Sequence, residues 1–195
     1  LKAGARMGVN ILVIKLGALG DMVQALGPMA AIRRYHADVQ VTALTTKPYA
    51  TFLRASGFFD SVWVDSRPSL LNVGAWIDLR RRFRNGGIRR VYDLQTSDRS
   101  GWYFRLFGNP RPEWSGIAVG CSHPHINPQR DAMHTIERQR EQLAMAGIDD
   151  VPAPDVGWAE ADLDEYGLLS DYTLLVPGGA RHRPAKRWPQ ACYIE

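Results

Sequence analysis

The sequence predicts an α/β fold in which a parallel sheet carries helices on both faces. Strand-like apolar runs alternate with segments of helical period through most of the 195 residues, as in sheets built from strand–helix–strand units. A strand that leads into a glycine loop and a helix start occurs near each end of the chain, at residues 10–21 and 173–189. With an apolar content of 45%, the chain can bury a full core.

Short apolar runs bounded by turn residues mark the strands, and apolar residues spaced at i, i+3, i+4 and i+7 mark the helices. The predicted strands are residues 11–16, 39–44, 61–64, 90–94 and 114–119, and a further strand is predicted at 173–176. The predicted helices are residues 22–33, 49–56, 70–83, 99–107 and 133–146. Since no hairpin signal intervenes, we expect residues up to about Gly147 to form a Rossmann-like parallel sheet of five or six strands.

The order of these elements predicts one whole lobe and the opening of a second. We assign residues 7–150 to the first lobe, 151–170 to a connector containing Pro152 and Pro154, and 171–195 to the incomplete start of a second lobe. Met7 is expected to be the native start, after leftover leader residues. The chain is then truncated, either as a cloned fragment or naturally.

The composition indicates the expected cellular location of the protein and the kinds of partner it binds. Its apolar runs are far shorter than the roughly 20 residues of a membrane span, and its two cysteines form no disulfide framework. We therefore expect a cytoplasmic protein. The positive charge is concentrated in two clusters, within residues 80–90 and 181–187. Neither cluster has the interleaved aromatic residues that stack on bases, so no nucleic-acid partner is expected.

The first basic cluster lies within residues 80–90. It is either the solvated face of a helix or a contact with the inner face of the cytoplasmic membrane, where each arginine could contribute roughly 1 kcal/mol. Its members are Arg80, Arg81, Arg82, Arg84, Arg89 and Arg90.

The loops that follow successive parallel strands gather at one edge of a sheet, where α/β proteins bind their ligands. Here these loops are residues 17–21, 45–47, 65–67 and 95–98, which are polar and rich in groups that bind hydroxyls and anions. This edge is the expected binding site.

Asp21 ends the first glycine loop. Two uses fit a carboxylate at this point. It could cap the following helix by accepting a backbone N–H, or it could act as a general base aimed into the cleft. The loop itself is neither a dinucleotide fingerprint nor a Walker loop.

The second glycine loop precedes a basic segment and a predicted helix start at Pro189. Gly178 and Gly179 allow a close approach to the backbone, and Lys186 and Arg187 supply positive charge. The combination suits a diphosphate, although a basic surface loop has the same composition.

A metal site is not predicted. The candidate ligands Cys121, His123, His125 and His134 match no common zinc spacing, and prolines interrupt the segment that carries them.

Several of these segments also occur together in a known family. Residues 11–23, with Pro28 and residues 31–34 behind them, resemble the opening of glycosyltransferase family 9, the ADP-heptose:lipopolysaccharide heptosyltransferases. Three further matches follow in order, at residues 92–95, at residues 134–137 with Gly147 after them, and at residues 176–179 followed by 184–189. Ordered agreement over nearly the whole chain is more specific than any single motif.

The resemblance implies a GT-B arrangement of two Rossmann-like lobes, with the acceptor on the N-terminal lobe and an ADP-sugar on the other. It places Asp21 as the base that deprotonates the acceptor hydroxyl, and Gly178, Gly179 and Lys186 at the donor diphosphate. Acceptor-binding residues are expected at the loop edge of the first lobe, namely Gly17, Gly20, Lys47, Gln95 and Ser97.

The implied reaction is inverting transfer of a heptose or related sugar from a nucleotide-sugar donor to a lipid-linked anionic saccharide acceptor of the lipopolysaccharide-core type. No metal or other cofactor is required. Because most of the donor lobe is missing, a family member of this length should not turn over.

The alternative is a non-catalytic Rossmann-like module that holds a phosphorylated ligand or a protein partner. Continuation of the reading frame past Glu195 by about 130–170 residues of strand–helix units would favour the enzyme, and a stop codon there would favour the module.

Overall fold

The structure, a computed structural model, describes residues 9–69, 71–168, 171–176, 178 and 184–193. The chain divides into two compact units, Leu1–Ala159 and Glu160–Glu195. The first unit contains the strands and α-helices of the described residues. In the second, the described residues form three short 3₁₀ helices, Asp164–Tyr166, Pro184–Lys186 and Gln190–Tyr193.

The first unit is built on a six-stranded sheet with the spatial order β3-β2-β1-β4-β5-β6, in which all neighbouring strands are parallel. This order is that of the doubly wound Rossmann sheet. The predicted Rossmann-like parallel sheet is therefore confirmed. The strands are β1 Asn10–Ile14, β2 Gln40–Thr45, β3 Ser61–Val64, β4 Ile88–Asp93, β5 Glu113–Gly116 and β6 His123–Pro124.

Helices cover both faces of the sheet. They are α1 Leu19–Gln24, α2 Leu26–Tyr35, α3 Lys47–Ala55, α4 Val73–Asn85, α5 Asp98–Tyr103 and α6 Thr135–Ala144. A 3₁₀ turn, Phe104–Leu106, extends α5.

The core has two halves because successive side chains of a strand point to opposite faces. Ile11 and Val13 of β1 pack with apolar residues of α1, α2, α3 and α6. Leu12 and Ile14 pack with residues of α4 and α5 and with Trp114. All five residues of β1 are buried, which explains why this strand has a continuous apolar run rather than an alternating pattern.

The predicted helix over residues 22–33 is in fact two helices, α1 and α2, which meet at Ala25. Pro28 lies in the first turn of α2, where its missing N–H costs nothing because that amide would have no partner in the helix. The helical stripe continues across the junction, so the apolar spacing alone did not reveal the break.

Two strand predictions need correction. The predicted strand at 114–119 ends at Gly116, whose φ of +156° is readily adopted by glycine. Its register partner β6 was not among the predicted strands. Residues 173–176, predicted as a strand, are exposed and are not a strand in the structure.

Among the described residues, no helix is long and apolar enough to cross a membrane.

Candidate active site

The order of the sheet places its crevice between β1 and β4. From the end of β1 the chain continues to β2 on one side, and from the end of β4 it continues to β5 on the other side. The two connections therefore run in opposite directions and leave a crevice between the carboxyl ends of β1 and β4. Ligands of open α/β sheets bind in the crevice formed at such a point.

The loop after β1 makes a close turn against α3. Gly17 has a φ of +133°, and a Cβ placed on it would lie 2.6 Å from Cε2 of Tyr49. Both the backbone conformation and the neighbouring ring therefore require glycine at this position. The carbonyl of Leu16 accepts a 2.9 Å hydrogen bond from the Thr46 hydroxyl, which ties this loop to the end of β2.

Asp21 lies inside α1, at its third residue, and not ahead of the helix as predicted. The N-cap position is occupied by Ala18, whose backbone N–H donates to Asp21 Oδ2 at 3.2 Å. The carboxylate thus holds the start of its own helix, as in a capping box. Its side chain is exposed at the carboxyl edge of the sheet, so it remains open to a substrate hydroxyl.

Gly20 lies beside Asp21 on the exposed surface of α1. A Cβ at this position would meet no atom within 4 Å. The space next to the carboxylate is therefore open to a ligand.

The loop after β4 faces the loop after β1. Gln95 Oε1 accepts a 2.8 Å hydrogen bond from the backbone N–H of Leu16. Ser97 begins α5 as its N-cap and accepts from the backbone N–H of Ser100 at 3.3 Å. Gln95 thus lies at the crevice, and the Ser97 hydroxyl is engaged in capping.

Asp93, at the end of β4, is completely buried. Its Oδ1 accepts from the backbone N–H groups of Gln95 at 3.1 Å and Thr96 at 3.0 Å. Its Oδ2 has no hydrogen-bond partner. Burial raises the pKa of Asp93 to about 6, although the two amides and the charge of Lys15 favour the ionised form.

Lys15, at the end of β1, is also buried, with 5% of its surface exposed. Its Nζ donates to the carbonyl of Leu94 at 3.2 Å. Burial lowers the pKa of this ammonium group, whereas the negative charges of Asp21 and Asp93 raise it, and Arg138 of α6 adds a positive charge nearby. The Lys15 ammonium therefore interacts electrostatically with both carboxylates, the exposed one of Asp21 and the buried one of Asp93.

Helix α6 closes the crevice from one side. Gln139 Nε2 donates to the carbonyl of Leu94 at 3.4 Å, and Gln142 Nε2 donates to the carbonyl of Asp93 at 3.0 Å. The carbonyls of Asp93 and Leu94, at the end of β4, are thereby hydrogen-bonded by side chains of α6.

Lys47 is the first residue of α3 and is exposed. It follows Thr46 directly, and Thr46 contacts the loop after β1. The structure therefore brings the predicted residues of the first unit to one edge of the sheet, namely Gly17, Gly20, Asp21, Lys47, Gln95 and Ser97.

The predicted donor residues belong to the second unit. Gly178 is exposed, and Lys186 is the last residue of the 3₁₀ helix Pro184–Lys186. Gly179 lies outside the described residues.

The residues considered as metal ligands have other contacts. His125 Nε2 lies 3.2 Å from Glu141 Oε2, His123 Nδ1 lies 2.9 Å from the hydroxyl of Ser122, and His134 caps α6. In the part of the chain that the structure describes, no three histidine, cysteine or acidic side chains cluster as a metal site would require.

Sequence patterns did not single out Lys15, Asp93 or Arg138. Lys15 and Asp93 each end an apolar strand, and an ionisable residue that directly follows a buried run at the carboxyl end of a parallel strand is the signal that could have identified them.

Comparison of the whole chain with solved structures gives three informative matches. The glycosyl transferase family 9 protein from Veillonella parvula DSM 2008 superposes with a TM-score of 0.73 at 17% identity, covering 92% of this chain and 56% of its own. The ADP-heptose lps heptosyltransferase II of E. coli gives a TM-score of 0.69 at 18% identity, covering 94% and 59%. The chain has the fold of family 9 glycosyltransferases. The resemblance inferred from the sequence motifs is thus confirmed at the level of the fold.

A third match to this family 9 fold is E. coli heptosyltransferase WaaC, solved with ADP-2-deoxy-2-fluoro heptose. It gives a TM-score of 0.54 at 14% identity and covers 75% of this chain and 50% of its own. The chain therefore spans only about half the length of the solved structures that it matches. No protein-family model and no curated protein sequence matches it significantly.

Proposed function

We propose that this chain carries the acceptor side of an inverting glycosyltransferase, which moves a heptose or related sugar from an ADP-sugar to an acceptor of the lipopolysaccharide-core type. The observation that carries the proposal is the Asp21 carboxylate. It is exposed at the β1–β4 crevice of a family 9 fold and is fixed by the Ala18 N–H.

The chemistry follows from that position. In an inverting transfer the acceptor hydroxyl oxygen forms a bond to the anomeric carbon, while the bond from that carbon to the diphosphate oxygen breaks. The hydroxyl proton passes to Asp21, and ADP departs with the bonding electrons.

Acceptor binding is assigned to the first unit. Gly17 and Gly20 let a sugar approach the backbone, and Lys47, Gln95 and Ser97 lie at the same edge. An exposed ammonium at the start of α3 suits the anionic groups of a lipid-linked saccharide. We assign the donor diphosphate to Gly178, Gly179 and Lys186 of the second unit, on the basis of the sequence motif.

The protein is proposed to work in the cytoplasm, in contact with the inner surface of the cytoplasmic membrane. Exposed arginines of α4 lie on the same helix as the exposed apolar side chains of Val73 and Ile77, which are 64% and 51% exposed. A basic helix with exposed apolar residues suits an anionic lipid surface. Arg90 is not part of this surface, because it pairs with Glu113 and donates to the Tyr92 hydroxyl.

The experiment that tests the proposed function is ADP release by the complete gene product that contains this chain, offered ADP-heptose and lipopolysaccharide-core acceptors. Replacing Asp21 by asparagine should lower turnover roughly 100-fold or more, as expected when general-base assistance is lost. Because asparagine keeps an oxygen that can accept from Ala18, folding should be nearly unchanged.

The matched control is Asp38→Asn, which makes the same change at an exposed aspartate beside the amino end of β2. It should leave turnover at the wild-type level. Normal turnover in the Asp21 variant would show that the carboxylate acts only as a helix cap. A wild-type protein that binds phosphorylated ligands without turnover would favour the non-catalytic module.

A further inference from the structure

One backbone hydrogen bond joins the loops on the two sides of the crevice. The N–H of Leu16 donates to Gln95 Oε1 at 2.8 Å, across 79 positions of sequence. On the other side of the same peptide segment, the carbonyl of Leu16 accepts from the Thr46 hydroxyl at 2.9 Å. Leu16 is thus held from β4 and from β2, immediately before the glycine turn that leads to Asp21.

The backbone at Gln95 is held by the buried carboxylate of Asp93. Asp93 Oδ1 accepts the backbone N–H groups of both Gln95 and Thr96. Thr96 has a φ of +44°, a left-handed conformation that residues other than glycine adopt less readily. The buried carboxylate of Asp93 therefore stabilises a turn that the backbone alone would not favour.

We propose that Gln95 is a positioning residue for the transfer reaction, acting through its Oε1 on the Leu16 N–H, with Asp93 holding Gln95 in place. This inference rests on the proposed function. It differs from the acceptor-binding prediction for Gln95, in which the side chain would act by contacting the substrate.

Gln95 can influence Asp21 because Asp21 is linked to Leu16 through Ala18. Its carboxylate accepts from the Ala18 N–H, and Ala18 is two residues from Leu16. A shift of Leu16 therefore moves the start of α1 and the carboxylate together. A general base must lie within hydrogen-bond reach of the proton that it removes, and a displacement of about 1 Å can cost up to 100-fold in rate.

Two variants of Gln95 separate the two ways in which it could act. Gln95→Glu keeps an oxygen that can accept from Leu16, whereas Gln95→Met has a similar length and no such oxygen. Both variants lose the amide NH2 that would donate to an acceptor. Gln40→Met is the control, because Gln40 is an exposed glutamine at the opposite edge of the sheet.

The kinetic measurement uses the complete gene product with ADP-heptose and a lipopolysaccharide-core acceptor. Gln95→Met should lower kcat about tenfold or more with little change in the acceptor KM, and Gln95→Glu should recover most of that loss. Gln40→Met should match wild type. Thr46→Val, which removes the bond on the other side of Leu16, should lower kcat in the same way, and Thr46→Ser should recover it.

The structural measurement is amide hydrogen exchange at Leu16 in the 195-residue chain. Exchange should be faster in Gln95→Met than in wild type, and Gln95→Glu should restore protection.

Equal losses in the Glu and Met variants, with a raised acceptor KM, would show that Gln95 acts by direct contact and would overturn the positioning proposal. Unchanged Leu16 exchange in Gln95→Met would also overturn it. Absence of turnover in the wild-type protein would refute the proposed function and with it the inference. An active wild type whose Gln95→Glu and Gln95→Met variants show the same kinetic loss would instead overturn only the positioning proposal.

Discussion

Replacing Asp93 by asparagine should change how stability depends on pH. Asp93 is fully buried, and burial raises its pKa from 3.8 to about 6. Between these values the carboxyl is protonated in the folded protein and ionised in the unfolded chain, so folding takes up a proton. The contribution of Asp93 to the free energy of unfolding is therefore largest below about pH 4 and falls as pH rises. Above about pH 6 the full destabilisation by the buried charge is present.

The rise in pKa corresponds to roughly 3 kcal/mol between pH 4 and pH 7. Asparagine removes the titration but keeps an oxygen that can accept the N–H groups of Gln95 and Thr96. Relative to wild type, the variant should therefore gain up to about 3 kcal/mol of stability on going from pH 4 to pH 7. The attraction of the Lys15 ammonium is already contained in the Asp93 pKa of about 6, so it does not alter this gain.

A second group titrates in the same range with the opposite sign. Burial, together with the positive charges of Arg90 and Arg33, lowers the pKa of His36 to about 4. Its protonation is disfavoured in the folded state, so stability from His36 is lost as pH falls from about 6.5 to about 4. In wild type the two residues oppose each other, and Asp93→Asn should expose the dependence on His36.

The assay is urea unfolding of the chain followed by tryptophan fluorescence at intervals from pH 4 to pH 7. Subtracting the wild-type curve from the variant curve cancels the titrations that the two proteins share, including that of His36. A difference that rises with pH agrees with the argument. A difference that is constant over this range would show that Asp93 ionises normally, and one that falls with pH would show that its carboxylate is stabilised rather than destabilised by its surroundings.

Two further predictions concern packing and the surface. Gly27→Ala should destabilise the protein by about 1–3 kcal/mol in urea unfolding, because its Cβ would lie 2.2 Å from the carbonyl oxygen of Pro152. The control Gly20→Ala, which adds a methyl group in open space on α1, should be neutral or slightly stabilising, and equal losses in both variants would contradict this. Reversing the charge of Arg80 and Arg84 to glutamate should weaken binding to vesicles containing anionic lipid roughly tenfold or more. The same double change at Arg34 and Arg54, on α2 and α3, should have a smaller effect, and an equal loss would show that only net charge matters.

The sheet could be predicted because its information is local. Buried parallel strands such as β1 have continuous apolar runs, and the helices between them keep their 3.6-residue period. Elements that lack such a signal were missed. Strand β6 has two residues, too few to show any period, and it is defined by its pairing with Ser115 and Gly116. The break at Ala25 was hidden because the apolar stripe continues through it.

The candidate site was predictable to the extent that it lies on loops. Glycines and an aspartate after the first strand indicated a ligand-binding turn, and the structure brings Gly17, Asp21 and Gln95 to the same edge. The contact between Leu16 and Gln95 spans 79 positions, so no local pattern encodes it. The same holds for Lys15 and Asp93, whose environment depends on the pairing of β1 with β4.

That pairing explains why two buried ionisable residues occur behind one exposed carboxylate. Ile14 is in register with Asp93, so Lys15 extends one residue beyond the end of β4 and its ammonium reaches the Leu94 carbonyl. Either charge alone would be costly at this depth, but each offsets part of the cost of the other. Their hydrogen bonds hold the turns that carry Gln95 and Leu16, while Asp21 stays at the surface. A general base must be held in position and must also be reachable by the substrate. Here buried residues provide the support, and the exposed Asp21 provides the access.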